Sequence, residues 1–324
     1  MLEHKIPMVA VVGPTASGKT ALSIEIAKQN NGEIVSFDSM QIYKDAPIAT
    51  AIPTAEERQG VPHHLMSFLS ANEQFSVAKY TELAHQVIAD ITTRGKLPVL
   101  VGGTGLYFSA LLDNLQFSNE QGDKLKIRQK LQKRLEQQGI EVLFRELVAI
   151  DPVAASKIHI NNHVRVLRAL EVYYSTGSTL SHQVEQSHLL PSPYKACVIG
   201  LTYRERALLY DRINQRVHNM VEDGILDEIE KIYRQTPNGT LMQAIGIKEF
   251  LPYFNGTVSL ETAIADVQKS TRHYAKRQMT WFRRDQRVNW LYCDDYAERN
   301  QLFQAAQLLI NKFNDEVISI EEKH

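Results

Sequence analysis

The stretch GPTASGKT, residues 13–20, decides the fold class of this chain. Gly13, Gly18, Lys19 and Thr20 occupy every fixed position of the pattern GxxxxGK[ST], between an apolar run at residues 8–12 and a helical pattern at residues 19–29. Glycines let the backbone curl so that successive N–H groups face an anion. The helix N-terminus, the Lys19 ammonium and the Thr20 hydroxyl favour phosphate and Mg²⁺. The stretch predicts a phosphate-binding loop but does not say whose phosphate it binds.

Strand patterns recur along the chain with helical patterns between them. Apolar runs at residues 33–38, 97–105, 196–201 and 288–293 read as strands, and Ser76 reads as the N-cap of a helix that ends near Thr93. This alternation predicts an α/β fold with a P-loop NTPase-like parallel sheet, whose ligands gather at the carboxyl ends of the strands. Asp38, Thr104 and the phosphate loop all fall at such ends, so we expect them to converge.

The segment 116–193 differs in character from the rest of the chain. Its first part, residues 123–138, is heavily charged with apolar residues at helical spacing, Asp151-Pro152 reads as a helix start, and a helix at residues 162–176 is closed by Gly177. We predict an α/β core at residues 1–115 and 194–324 with an inserted all-helical domain at residues 116–193. The alternative is that these are ordinary crossover helices.

The composition limits the class of protein. Lys and Arg number 36 against 37 Asp and Glu, so any surface for nucleic acid must come from local clustering of charge. Cys197 and Cys293 each stand alone, which excludes a disulfide framework and a CxxC zinc site. There is no signal-peptide pattern and no apolar stretch of membrane-spanning length. We expect a cytoplasmic monomer without zinc or a membrane partner.

The position of the acidic residues favours group transfer over hydrolysis. A hydrolysing P-loop protein usually holds Mg²⁺ with a second acid at the end of an apolar strand, but the run at residues 97–105 ends in VGGTG. Asp38 ends the preceding strand instead, where it suits a second substrate; the alternative is a helix N-cap over residues 39–43. Arg212 and Arg216 lie one helical turn apart and can reach one anion, or pair with Asp211 or Glu222.

Three clusters of positive charge flank this phosphate site. The segment 265–287 reads as an amphipathic helix with a basic face and, nearly opposite, Val267, Tyr274 and Trp281. The basic face comprises Lys269, Arg272, Lys276, Arg283 and Arg287. The inserted segment carries Lys124, Lys126, Arg128, Lys130, Lys133 and Arg134, and then Arg165 and Arg168. These clusters exceed what a nucleotide requires and favour a nucleic-acid backbone as partner, although charged stripes are often only solvated faces. His63-His64 indicates packing or hydrogen bonding rather than a metal.

Eight motifs together resemble the bacterial tRNA dimethylallyltransferase family. They are, in chain order, GPTASGKT, FDSMQIYKD, PHHL, VGGTGLY, RVLRALEV, DRINQRVHNMVEDG, MQAIGIKE and KRQMTWFRR. The resemblance implies transfer of a dimethylallyl group from dimethylallyl pyrophosphate to N6 of adenosine 37 in a tRNA, with pyrophosphate as the leaving group. It also implies a P-loop core with an inserted helical domain and the anticodon arm between them. Eukaryotic relatives add a zinc finger, for which this chain lacks the cysteines.

The resemblance also implies roles for individual residues. Asp38 would accept the N6 proton, while Lys19, Arg212, Arg216 and Mg²⁺ at Thr20 would stabilise the departing pyrophosphate. The pyrophosphate or nucleotide site would comprise Gly13, Pro14, Thr15, Ala16, Ser17, Gly18, Lys19 and Thr20. The tRNA contacts would comprise Asp38, Ser39, Met40, Gln41, Thr104, Arg128, Asn162, His163, Val164, Arg165, Val166, Gln243, Gly246, Lys248, Lys276, Arg277, Gln278, Trp281 and Arg283. His163, Val164 and Ile247 depart from the family pattern, which puts local RNA contacts in question.

Other functions remain open on the residues alone. A P-loop small-molecule kinase also places an Asp after its second strand and would transfer the γ-phosphate of ATP. An isopentenyltransferase acting on free adenine nucleotides would need no basic helix or inserted module. A non-catalytic RNA-binding protein leaves Lys19, Thr20 and Asp38 unexplained together.

Overall fold

The structure is a computed structural model that describes residues 5–117, 124–237 and 239–321. The chain divides into two compact units. The α/β unit comprises Met1–Leu111 and Pro193–His324, and the helical unit comprises Leu112–Ser192. Each unit is described by itself below. The predicted role of the insertion at residues 116–193 in binding tRNA remains a prediction.

A single parallel sheet organises the α/β unit. Its strands are β1 (Ile6–Val12), β2 (Gly32–Ser36), β3 (His63–His64), β4 (Leu97–Val101), β5 (Tyr194–Thr202) and β6 (Val288–Tyr292). Their order is β3-β2-β4-β1-β5-β6, and every neighbouring pair is parallel. The central strand β1 is continuously apolar and buried from Met8 to Val12, as expected of a strand covered on both faces. The predicted α/β class with a parallel sheet is confirmed.

Fourteen α-helices accompany the sheet in the described part of the chain. They are α1 (Lys19–Gln29), α2 (Ala55–Arg58), α3 (Val77–Thr93), α4 (Gly105–Leu112), α5 (Lys124–Gln138), α6 (Ile140–Ile150), α7 (Pro152–Lys157), α8 (His163–Thr176), α9 (Leu180–His188), α10 (Arg206–Glu222), α11 (Ile225–Gln235), α12 (Leu251–Phe254), α13 (Leu260–Phe282) and α14 (Arg299–Glu321). None of the described helices is long and apolar enough to cross a bilayer.

Several predicted boundaries follow from local hydrogen bonds. The Ser76 hydroxyl accepts from the Lys79 N–H at the start of α3, and Gly177 ends α8 in a left-handed conformation. The predicted strands at residues 33–38 and 97–105 end earlier, at Ser36 and Val101, because the chain leaves the sheet there to form the loops described below. The short strand β3 was not predicted, since two residues carry no periodicity.

A buried carboxylate ties the start of β2 to its neighbours. Glu33 is 2% exposed, and its oxygens accept from Lys96 Nζ (2.7 Å), Arg94 Nη1 and Nη2 (2.5 and 2.7 Å) and His64 Nε2 (2.7 Å). The Arg94 hydrogen bonds hold the Glu33 pKa well below its usual range, against the effect of burial. His63 Nδ1 donates to the Val61 carbonyl at 2.8 Å. The histidine pair therefore makes hydrogen bonds, as predicted.

The helical unit has its own apolar core. Leu143 and Leu147 of α6 pack with Leu131 of α5 and Leu170 of α8. The Asp151 carboxylate accepts from the Ala154 N–H (2.9 Å) at the start of α7, which confirms the predicted cap. The predicted helix at residues 123–138 corresponds to α5, with residue 123 outside the described residues.

The basic helix is displaced from its predicted bounds. The sequence pattern predicted one helix over residues 265–287, whereas α13 begins at Leu260 and ends at Phe282. Arg287 follows in the turn before β6, where its guanidinium pairs with Asp285 at 2.6 Å. Arg287 therefore does not belong to the basic face of the helix. The prediction placed the end of the helix too late because helix-compatible residues continue past Phe282.

Candidate active site

The phosphate loop has the conformation that its sequence predicts. Gly13 has φ +138°, and a Cβ atom on it would lie 2.3 Å from the Leu201 carbonyl oxygen, so only glycine fits. Gly18 has φ +94° and leads directly into α1. The Lys19 ammonium turns back over the loop and donates to the Pro14 carbonyl at 2.6 Å. Burial, and secondarily the nearby Arg216 charge, lowers the pKa of Lys19 to about 7.

Two arginines of α10 extend the positive end of the site. Arg212 and Arg216 line the same cavity as Lys19, and Arg212 Nε donates to the Ala16 carbonyl at 2.9 Å. Burial lowers the pKa of Arg216, while the charge of Asp38 acts in the opposite direction. Within the described residues no carboxylate lies within ion-pair distance of either guanidinium. The arrangement thus leaves their charges available to an anion.

Asp38 follows β2 and lines the same cavity. Its Oδ1 accepts from the N–H groups of Met40 (2.9 Å) and Gln41 (3.4 Å), which fixes the carboxylate in a turn rather than at the start of a regular helix. No residue in the described ranges donates to its other oxygen, Oδ2. The next residue, Ser39, donates its N–H to Thr104 Oγ1 at 3.0 Å. The predicted convergence of the Asp38 and Thr104 loops is therefore present.

The cavity has a volume of about 850 Å³, and its lining residues fall into two chemically distinct sets. One set is the phosphate loop, the two arginines and Asp38. The other set is apolar, and we call it the apolar wall: Pro47, Ile48, Ala49, Ile52, Pro53, Met66, Val217 and Met220. An elongated ligand with an anionic head and an apolar tail matches this division.

The loop that forms most of the apolar wall is held by distant side chains. Glu228 of α11 accepts from the N–H groups of Ile48 (2.9 Å) and Ala49 (2.8 Å). The Gln41 amide donates to the Ala51 carbonyl at 3.0 Å. Sequence reasoning missed Glu228, because nothing local to α11 indicates a partner 180 residues earlier in the chain. It predicted Gln41 as an RNA contact, yet here Gln41 also ties the wall to Asp38.

Helix α13 passes close to the phosphate loop. Val267, Thr271, Tyr274, Arg277 and Gln278 line the cavity, so the face predicted as an apolar back in fact faces the site. Burial raises the pKa of Tyr274, while the nearby Thr104 and Gln278 side chains act in the opposite direction. Gln278 is 5% exposed. Its Oε1 accepts from the Thr15 N–H (2.9 Å), and its Nε2 donates to the Gly103 carbonyl (3.0 Å).

The remaining predicted RNA contacts of the α/β unit are divided between surface and interior. The exposed side chains among them are those of Gln243, Lys248, Lys276, Arg277, Trp281 and Arg283. Gly246 is buried at φ +92°, and Ile247 is fully buried among apolar residues. Ile247, which departs from the family pattern, therefore packs in the apolar core and does not face an RNA. Gln278 is buried with its carboxamide bonded to backbone, so we omit it from the surface for RNA.

The helical unit carries the other predicted RNA contacts. Arg128 is exposed on α5, and Asn162 caps α8 by accepting from the Arg165 N–H at 3.3 Å. His163, Val164 and Arg165 are exposed, with Val164 at 75%, but Val166 is fully buried in the core of the unit and offers no side chain to an RNA. Arg134 pairs with Glu146 at 2.5 Å, and Arg168 pairs with Glu171 at 3.1 Å. The basic clusters are smaller than the sequence indicates.

Comparisons with known proteins agree with this geometry. A family model described as IPP transferase matches residues 41–285. The tRNA dimethylallyltransferase of Caldanaerobacter subterraneus subsp. tengcongensis is 46% identical over 92% of this chain and 95% of its own length. The crystal structure of a full-length tRNA isopentenylpyrophosphate transferase from Bacillus halodurans is 42% identical, with a TM-score of 0.74 over 98% of this chain and 100% of that one. A structure of a eukaryotic dimethylallyltransferase acting on tRNA is 32% identical, with a TM-score of 0.75 over 93% and 77%. Since similarity at this level extends over nearly the whole length, the chain belongs to the IPP transferase family of tRNA dimethylallyltransferases.

Proposed function

We propose that the chain transfers the dimethylallyl group of dimethylallyl pyrophosphate to N6 of adenosine 37 in a tRNA. The bond between the allylic C1 and the bridging oxygen breaks, and its electron pair leaves with pyrophosphate. A bond forms between C1 and the adenine N6, and the N6 proton passes to a carboxylate. The observation that supports this reaction is one cavity in which a phosphate loop, uncompensated cations and a carboxylate with an open oxygen lie together.

The donor would contact both sets of residues that line the cavity. Its diphosphate would meet the loop N–H groups, Lys19, Arg212 and Arg216, while its apolar tail would lie against the apolar wall. An allylic C1 tolerates cationic character, so the barrier lies largely in withdrawing negative charge onto the leaving group. Donors already fixed at that position each contribute on the order of 10²–10³ in rate.

Asp38 is the candidate general base. The exocyclic amine of adenine is a poor nucleophile because its lone pair is delocalised into the ring, so accepting its proton as C1 is attacked lowers the barrier. Oδ1 is already used by two backbone N–H groups, which orients the carboxylate and leaves Oδ2 for the amine. The adenine must first leave its stack, which in an anticodon loop costs only a few kcal/mol.

Mg²⁺ fits the part of the cavity that is lined by the phosphate loop and Thr20. The Thr20 hydroxyl lies at the start of α1 beside Lys19, lines the cavity, and has no hydrogen bond to any described residue. No group of three or more His, Cys, Asp and Glu among the described residues could hold a metal alone. A hydroxyl that shares the ion with substrate phosphates is the arrangement Mg²⁺ favours. When bound, the ion would neutralise charge on the departing diphosphate.

The tRNA is the proposed second substrate. Lys276, Arg277 and Arg283 are exposed at the end of α13, and Arg128 and Arg165 are exposed on the helical unit. Contacts from lysine and arginine to phosphate supply most sequence-independent affinity for RNA. A free adenine nucleotide bound in the cavity would not need the exposed cations of the helical unit.

Nucleoside analysis of the product tests the proposal. The chain is incubated with labelled dimethylallyl pyrophosphate, Mg²⁺ and unmodified tRNA, and the RNA is digested and separated. Label should appear in an N6-substituted adenosine at position 37. Asp38→Asn keeps the acceptor for Met40 and Gln41 but removes the base, so turnover should fall by roughly 10²–10⁴ while tRNA binding persists. Asp266→Asn, an exposed aspartate on α13, is the control.

Two results would overturn the proposal. One is near-normal turnover by Asp38→Asn, which would refute the role of Asp38 as the general base. The other is transfer of the γ-phosphate of labelled ATP without incorporation of the prenyl label, which would favour the kinase alternative.

A further inference from the structure

The Gln278 side chain joins two segments that the proposed chemistry uses separately. Its Oε1 accepts from the Thr15 N–H of the phosphate loop at 2.9 Å, and its Nε2 donates to the Gly103 carbonyl at 3.0 Å. The side chain is 5% exposed. Burying a glutamine amide costs free energy unless the amide is hydrogen-bonded, and apolar packing alone would not favour a glutamine here.

The turn after β4 is shaped to receive this glutamine. A Cβ atom on Gly103 would lie 2.0 Å from Gln278 Nε2, and a Cβ atom on Gly105 would lie 2.4 Å from the Trp281 ring. Both glycines therefore admit side chains of α13 rather than a phosphate. The turn between β4 and α4 and the phosphate loop after β1 both lie against one short stretch of α13.

The same stretch of α13 carries the exposed cations assigned to RNA. Lys276 and Arg277 immediately precede Gln278, and Arg283 follows the helix end. Residues within one turn of a helix are joined by its backbone and its i→i−4 hydrogen bonds. A force on Lys276 or Arg277 therefore moves Gln278, and through it the Thr15 N–H at the edge of the phosphate loop.

We propose that Gln278 is a positioning residue that couples binding of the prenyl donor to binding of tRNA. The inference rests on the proposed function, since it takes the phosphate loop as the donor site and α13 as an RNA contact. A bound tRNA fixes α13, α13 fixes the loop through Gln278, and the donor then meets an ordered loop. Each ligand orders residues that the other must also order, so the second ligand loses less conformational entropy on binding, and the cooperativity is positive.

The coupling has a defined measure. If tRNA raises the affinity for the donor by some factor, the donor raises the affinity for tRNA by the same factor. Couplings of this kind are typically about 5–150-fold. Gln278→Met keeps the volume and flexibility of the side chain but removes both hydrogen bonds, so the factor should fall to within about twofold of unity.

Binding titrations with the full chain test this. The probe is dimethylallyl S-thiolodiphosphate, whose carbon–sulfur bond prevents turnover, measured with and without an unmodified tRNA. The matched control is Gln268→Met on the same helix, because Gln268 Nε2 faces the Asn214 carbonyl (3.4 Å) and His218 Nε2 (3.1 Å) instead of the phosphate loop. This control should keep the wild-type factor, and the reciprocal titration should return the same number.

A second variant disrupts the hydrogen bond between Gln278 and Gly103 by changing Gly103. Gly103→Ala keeps glutamine at position 278, but the new methyl group would occupy the space of the Gln278 amide nitrogen. It should therefore also abolish coupling, while each ligand alone still binds. The inference is overturned if the wild type shows no coupling, or if both Gln278→Met and Gly103→Ala retain it. Prenyl transfer measured on the same wild-type preparation separates the two questions. Turnover without coupling refutes only the role of Gln278, whereas absence of turnover refutes the proposed function.

Discussion

Raising the pH from 7 to 9 should weaken binding of the prenyl donor to the free protein by about 50-fold, through loss of the Lys19 proton. Lys19 stands in a partly buried site beside Arg216, and these two effects together bring its pKa down to about 7. A bound diphosphate places negative charge against the ammonium and raises that pKa again. The bound form is therefore protonated where the free form is not.

The sign and size follow from this difference between the two states. Below about pH 6 the free lysine is already charged, so Lys19 adds no pH dependence to the affinity. Above pH 7 Lys19 must take up a proton when the donor binds. The dissociation constant therefore rises with pH and approaches a tenfold rise per pH unit, until the pKa of the bound state is reached. Half of the free molecules are protonated at pH 7 and about one in a hundred at pH 9.

Calorimetry in two buffers of different ionisation enthalpy measures the proton directly. At pH 8 about 0.9 proton should be taken up for each donor bound, after subtraction of the donor's own titration. Lys19→Arg retains a positive charge that cannot be lost at this pH, so its uptake should vanish. The reasoning is refuted if wild type and Lys19→Arg take up the same number of protons.

Three further predictions concern other parts of the molecule. Lys276→Ala should reduce the salt slope of tRNA binding by about 0.7–0.9, one phosphate contact, while Lys231→Ala on α11 leaves it unchanged; an unaltered slope would place Lys276 off the interface. Glu228→Gln leaves one wall N–H without an acceptor and should cost about 1–3 kcal/mol in denaturant unfolding and raise the donor KM, whereas the exposed Glu230→Gln should cost under about 0.5 kcal/mol. Glu33→Gln should cost about 1–3 kcal/mol at pH 7, because it removes charge-assisted hydrogen bonds from the partly exposed Arg94 and Lys96 side chains. Since the folded-state pKa of Glu33 is depressed, its contribution is present above the unfolded pKa and lost as the pH falls, so the deficit should shrink in acid; a deficit independent of pH would contradict the assignment.

The parts of the fold that sequence could predict are those with local causes. The phosphate loop depends on glycines at positive φ, a conformation that other residues rarely adopt, as at Gly13 and Gly18. The caps at Ser76 and Asp151 satisfy donors only three residues away. The position of Asp38 could also be predicted from the sequence, because parallel strands bring their carboxyl ends to one edge of the sheet. Its role as base remains a prediction.

The parts that sequence could not predict depend on contacts between distant segments. Glu228 reaches a loop near residue 48, and Gln278 reaches Thr15 and Gly103, and no pattern along α11 or α13 reveals either partner. Helical periodicity placed Tyr274 on an apolar face, which is correct as burial but silent about the cavity that the face lines. Periodicity identifies which side of a helix is inside, and only the fold decides whether the inside is core or site.

In the proposed reaction, the position of Asp38 would resolve a conflict between the charges that the chemistry needs. The reaction needs cations for the leaving group and a free carboxylate for the incoming amine, yet opposite charges in one cavity attract each other. An ion pair would occupy the oxygen that the adenine amine requires. Here the turn engages Oδ1 with two backbone N–H groups, and among the described residues no lysine or arginine lies within ion-pair distance of Asp38. In the proposed reaction the cations would remain available to the diphosphate, because backbone N–H groups rather than a charged side chain hold the aspartate.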